Sequence, residues 1–266
     1  MQTVKLKSVG NHVTVLQRLL NQWGYSIVET GIFDTTTDTI VKLFQTRNGL
    51  TADGIVGPKS WAQLQDESAR KAAIPTLTAA DFTRAAKALG VEVAAIKAVK
   101  DVETGSMGGF FRMDRPSILF EGHIFWSQLK NAGIDPNKHV KGNEDILYAK
   151  WTKAHYKGGI DEYNRLFRAM AINEKAALAS ASWGLFQIMG FNYSVCGCSS
   201  VNEFVGKMME SEGSQLDLFV AFLKGNKWDK YLKNLDWAGF AKNYNGPKYA
   251  ENKYDQKLKA AYNKHK

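Results

Sequence analysis

Apolar residues near the start of the chain recur at helical spacing. Val13, Leu16, Leu19, Leu20 and Trp23 fall on one helix face, and Gly24 ends the run. After the turn Gly31-Ile32-Phe33-Asp34, Thr35 to Thr37 are candidate caps for a second helix carrying Ile40, Leu43 and Phe44. A further turn, Asp53-Gly54-Ile55-Val56-Gly57-Pro58, leads into a short helix with Trp61 and Leu64. The two turns are alike: each Asp can accept backbone hydrogen bonds and each glycine permits positive φ. Between Glu67 and Leu77 the periodicity lapses around Pro75, which reads as a linker. Thr78 then caps a predicted helix through Leu89, closed by Gly90. Beyond it the chain stays rich in helix formers, with glycine loops near residues 105–109, 157–159 and 184–197. Few segments alternate, so any sheet is small. The expected fold is mainly α: a three-helix domain over 1–66, a linker over 67–77 and a larger α-rich domain over 78–266.

Composition narrows the class. With 44% apolar and 23% charged residues, neither disorder nor a collagen-like chain is expected. No run approaches the roughly 18 apolar residues of a membrane span. The start, Met1 to Lys7, lacks the apolar core of a secretory signal, so the chain is expected to stay in the cytoplasm where it is made until something else carries it across. Cys196 and Cys198, one residue apart, suit neither a disulfide nor a closed zinc site and are expected as reduced thiols. The net charge of +9 is concentrated late: residues 224–266 hold eleven lysines against Asp229, Asp236, Glu251 and Asp255. Such a basic end suggests attraction to an anionic polymer or surface; a solvated lysine face is the plain alternative.

Candidate chemistry begins on the segment from Val91 to Gly105. There Ile96, Val99 and Glu103 share one helix face, which places Glu103 at the end of an apolar stripe, ahead of a glycine loop. Apolar surroundings and a helix C-terminus both disfavour the carboxylate and raise its pKa, as a general acid near neutral pH requires. A second carboxylate, where one is used, is first Glu121, which interrupts Ile118-Leu119-Phe120 and precedes His123; Asp114 is a weaker choice. Glu121 equally suits a buried ion pair with Arg115 or His123.

Several separated motifs in residues 1–66 resemble the peptidoglycan-binding domain of cell-wall hydrolases. They are Leu16-Gln17-Arg18-Leu19-Leu20, Gly31-Ile32-Phe33-Asp34, Phe44-Gln45 and Asp53-Gly54-Ile55-Val56-Gly57-Pro58-Lys59-Ser60-Trp61. Further on, the order Glu103, Gly184-Leu185-Phe186-Gln187, Tyr244-Asn245-Gly246 is similar to that of goose-type lysozymes and soluble lytic transglycosylases. The stretches Val102-Glu103-Thr104-Gly105, Arg115 to Phe125 and Ser180 to Gly190 with Asn192-Tyr193 resemble the phage-type N-acetylmuramidases over most of residues 80–262. Thr104 stands where family members often have Ser.

The resemblance implies a lysozyme-like catalytic domain and a modular endolysin that cleaves the β-1,4 bond between N-acetylmuramic acid and N-acetylglucosamine to lyse the host. It makes Glu103 the catalytic acid, lines the glycan cleft with the Gly184 to Gln187 turn, and has Tyr244 steady the acid by a hydrogen bond. Trp183, Phe186 and Tyr193 become candidates for stacking on sugar rings, and Gln187 and Asn245 for binding N-acetyl or hydroxyl groups; aromatics at such positions also serve as core. No metal or organic cofactor is implied. Peptidoglycan is the expected partner of a monomeric enzyme that reaches the wall from the host cytoplasm by a holin-dependent route, with anionic outer-membrane lipid or lipopolysaccharide at the basic end and no nucleic acid. Two rivals stay open. One is a lytic transglycosylase giving 1,6-anhydro products; the other is a non-catalytic wall-binding protein.

Overall fold

The computed structural model describes residues 1–25, 27–66, 76–112, 115–247 and 249–266 except 105–107, with Arg112 described by its backbone. It divides into two compact units, one built on residues 1–74 and one built mainly on residues 75–111 and 116–266. Asp114, the weaker acid candidate, and Gly105 lie outside the described residues, as do residues 67–75 of the expected linker.

In the first unit, helices α1 (Asn11–Gln22), α2 (Thr35–Arg47) and α3 (Pro58–Gln65) enclose a core of Val13, Leu16, Leu20, Trp23, Phe33, Phe44, Trp61 and Leu64. The cap of α2 is Asp34, whose side chain accepts from Thr37 N, and not one of the threonines; carboxylate oxygens serve this position well. Leu43 is 43% exposed, so the apolar face of α2 runs through Val41 and Phe44 instead.

The likeness of the two turns has a structural counterpart. Gln17, fully buried, accepts from Gly31 N at 2.9 Å and donates to Ile32 O at 3.0 Å. Gln45 accepts from Gly54 N at 3.0 Å and donates to Ile55 O at 3.0 Å. Each turn is thus held from inside by one amide, which supplies the donor and the acceptor that the buried backbone lacks.

The second unit begins with α4 (Ala79–Leu89), capped by Thr78 in a capping box with Asp81 and closed by Gly90 in the left-handed region. Then come α5 (Val93–Thr104), the paired strands β1 (Phe110–Arg112) and β2 (Arg115–Pro116), β3 (Ile118–Phe120) and α6 (Gly122–Asn131). After a long irregular stretch follow α7 (Glu162–Ile172), α8 (Glu174–Ala179), β4 (Ala181–Trp183) and β5 (Ile188–Met189). The chain ends on α9 (Val201–Glu210), α10 (Glu212–Gly225), α11 (Asp229–Lys233), α12 (Trp237–Tyr244) and α13 (Tyr254–His265). Strands β3, β4 and β5 form one small antiparallel sheet, with Ile118 opposite Trp183 and Trp183 opposite Ile188.

A buried ion pair braces that sheet. Glu162 and Arg165, both essentially inaccessible, meet at 2.7 Å on α7. Glu162 also accepts from the backbone N–H groups of Phe120, Lys157 and Gly158, and Arg165 donates to the carbonyls of Phe120 and Asp145. With those bonds made, the desolvation cost of the two charges is offset locally.

The lysine-rich end is no loose tail. Helix α13 packs along α5 and against α12, burying Leu258 and Tyr262, and His265 Nε2 lies 2.7 Å from Asp101 Oδ2 on α5. Its lysines occupy the opposite, exposed face, as on any amphipathic surface helix. Cys196 and Cys198 are free and buried; burial pushes the Cys196 thiol up to about 12, which leaves it unreactive.

Candidate active site

Glu103 occupies the last turn of α5, on the stripe set by Ile96 and Val99. Its Oε2 accepts from Asn245 Nδ2 at 2.9 Å. Its Oε1 is buried and has no hydrogen-bond partner among the described residues. Burial pushes the carboxyl up to about 7, with the Asn245 bond opposing. Such an acid holds its proton up to near-neutral pH, and one of its oxygens has no hydrogen bond among the described residues. That combination suits proton donation to a leaving group.

The residues after α12 differ in role from the expectation. Tyr244 donates its hydroxyl to Phe186 O at 2.8 Å, not to Glu103; the amide next door, Asn245, makes the bond to the acid. Tyr244 is enclosed by Phe219, Phe222 and Phe240, and burial, then the nearby charge of Glu103, drives its pKa well above the ordinary phenol value. It therefore stays a neutral donor and ties α12 to the Gly184 turn.

Two of the three proposed stacking rings are core. Trp183 is 1% exposed and donates its indole N–H to Leu178 O, and Phe186 stacks on Phe219 at 4.1 Å between centroids. Neither ring face is open to a sugar, because each already packs against protein. Tyr193 is half-buried and lines a surface depression of about 420 Å³ with Gln128, Asn131 and Lys175, none of which contacts Glu103. Gln187 is committed as well. Its amide donates to Gly184 O and Ser117 O and accepts from Ser182 Oγ, which holds its own backbone at φ 49°. Its part is to brace the turn, and its amide has no donor left for a glycan.

Glu121 accepts from Tyr156 OH at 2.8 and 2.7 Å, and His123 Nδ1 stands 3.3 Å from it. Burial and the carboxylate raise the Tyr156 phenol, so it remains a donor. The partner is His123 together with Tyr156, which no spacing in the sequence announces; the arrangement is that of a braced carboxylate at the start of α6.

Three polar residues that the sequence reading does not single out hold the Gly108–Gly109 segment, two of them joining it to the Gly184 turn. Ser117 donates its hydroxyl to Gly108 O at 2.6 Å, and its carbonyl accepts from Gly184 N at 2.7 Å. Glu212 accepts from Gly109 N at 2.7 Å. Gln215, fully buried, accepts from Leu185 N and donates to Gly109 O. A pair Glu-x-x-Gln inside an apolar helix was the only available signal.

A buried acid at a helix end, in a largely helical unit with a small sheet, fits the lysozyme-like muramidase class that the sequence resembles. Comparison with known proteins agrees: the family model of N-acetylmuramidase matches residues 92–266, and that of the peptidoglycan binding domain matches residues 9–64. The chain belongs to the N-acetylmuramidase family and is a modular phage endolysin acting on peptidoglycan. Among solved structures it is similar to the crystal structure of Burkholderia AP3 phage endolysin, at 39% identity over 99% of each chain and a TM-score of 0.68.

Proposed function

We propose that Glu103 is the general acid that cleaves the β-1,4 bond between N-acetylmuramic acid and N-acetylglucosamine. The observation that carries this reading is one carboxyl group, raised to about 7 by burial, with an unpartnered oxygen and a single amide on the other. Glu103 protonates the bridging oxygen as the sugar gains oxocarbenium character; water then adds to the anomeric carbon and leaves a reducing end. Asn245 holds the acid in place and accepts no proton. Glu121 is bound on both oxygens by Tyr156, which supports a bracing part for it. Mass spectrometry of digested sacculi tests the reading: hydrolysis yields reducing muropeptides, and 1,6-anhydro products would mean transglycosylation instead.

The exposed lysines of α13 support a further partner, anionic outer-membrane lipid or lipopolysaccharide. Binding to vesicles containing anionic lipid is expected to weaken when Lys259 and Lys264 become Glu; equal binding would remove this partner.

A further inference from the structure

We infer that Gln215 is a positioning residue for Glu103, clamping the chain that follows the acid onto the Gly184 turn. The inference rests on the reading of Glu103 as the acid. Gln215 lies on α10, fully buried, and its amide spans two backbones that are distant in sequence. Its Oε1 accepts from Leu185 N at 2.7 Å, while its Nε2 donates to Gly109 O at 3.1 Å and Met208 O at 2.8 Å. Glu212, one helical turn earlier, accepts from Gly109 N and so holds the other backbone group of that residue.

The packing is as close as the bonding. A Cβ on Gly109 would run into Gln215 Oε1 and come within 2.9 Å of Glu212 Cγ. A Cβ on Gly184, whose φ is 69°, would stand 2.7 Å from Gln215 Cδ and 2.9 Å from Met208 Sδ. Both backbones therefore lie against the amide because both residues are glycine.

From this clamp two routes lead to the acid. Gly109 stands six positions after Glu103 in the sequence. Leu185 precedes Phe186, whose carbonyl takes the Tyr244 hydroxyl, and Asn245 next to Tyr244 donates to Glu103. One side chain thus holds Gly109 and, through Leu185, Phe186 and Tyr244, the segment that supplies the acid its hydrogen bond. Released, the two segments separate, water reaches Glu103, and the carboxyl loses the burial that raises it.

The test is Gln215→Met, which keeps length and burial but removes all three hydrogen bonds, in the full chain. The expected result is a kcat about 10–100-fold lower on solubilised glycan strands with KM unchanged. In the same variant, ¹³C-carboxyl NMR should show Glu103 titrating at lower pH than in the parent. Where the Met variant fails to fold, Glu212→Gln carries the test, since it keeps one of two acceptors and is expected to move both readouts the same way. A folded variant that loses thermal stability but keeps kcat and the Glu103 titration would overturn the inference, making Gln215 an ordinary core residue. The NMR readout needs no turnover. An active Glu103→Gln protein would therefore sink the acid assignment, while an unmoved titration sinks only the clamp.

Discussion

Glu103→Gln lowers lysis of wall preparations by about 10²–10⁴-fold, the range a positioned general acid contributes, and leaves the fold intact. Gln keeps the shape and still accepts from Asn245, so near-ultraviolet circular dichroism is expected to match the parent. In the parent, activity falls as pH rises through about 7, because the donor form of Glu103 disappears there. A stability effect of the same sense accompanies this loss. Glu103 has its folded-state pKa raised from 4.5 to about 7, so the folded protein holds this proton more tightly than the unfolded chain does. That favourable contribution is complete below the unfolded value and is lost as pH climbs through the folded one. The difference corresponds to about 3 kcal/mol, an upper figure for a partly accessible group. A glutamine does not ionise, so the variant is expected to melt higher than the parent at about pH 8 and level with it at about pH 4. A variant that kept wall-lytic activity would remove Glu103 from the mechanism.

Truncation after Lys248 abolishes the native state of the second unit. Helix α13 covers α5 with Leu258 and Tyr262, and each such side chain contributes about 1.5–3 kcal/mol on burial. Its removal also bares the apolar faces of α5 and α12 and the Trp237 ring that Tyr262 meets at 5.4 Å. The sum is comparable with the entire stability of a domain, about 5–15 kcal/mol. The truncated chain is expected to lose near-ultraviolet signal and activity together; a soluble, cooperatively melting and active product would contradict the role given to α13.

These outcomes follow from features that the sequence displays unequally. Local signals were legible: Thr78 and Gly90 bound α4, and the spacing Ile96, Val99, Glu103 puts the acid on an apolar stripe. The small sheet was legible too, as a shortage of alternating segments. What failed were readings that depend on partners far along the chain. Phe186 was open to stacking until Phe219 took its face, and Tyr244 looked aimed at the acid until its hydroxyl met Phe186 O. Gln215 is silent for the same reason, since the peptides it joins belong to segments near Gly109 and Leu185. The late lysines illustrate a different case. Charge drew attention to the exposed face of α13, while Leu258 and Tyr262, four residues apart, already described a packed helix.

Gln17, Gln45 and Gln215 share a chemical property that matters for an enzyme meeting variable acidity. A carboxamide neither gains nor loses a proton across the range in which proteins work, so none of the three joints is lost through titration of its own amide. Acidification can switch the working group while Gln215, in the same unit, keeps its backbone bonds.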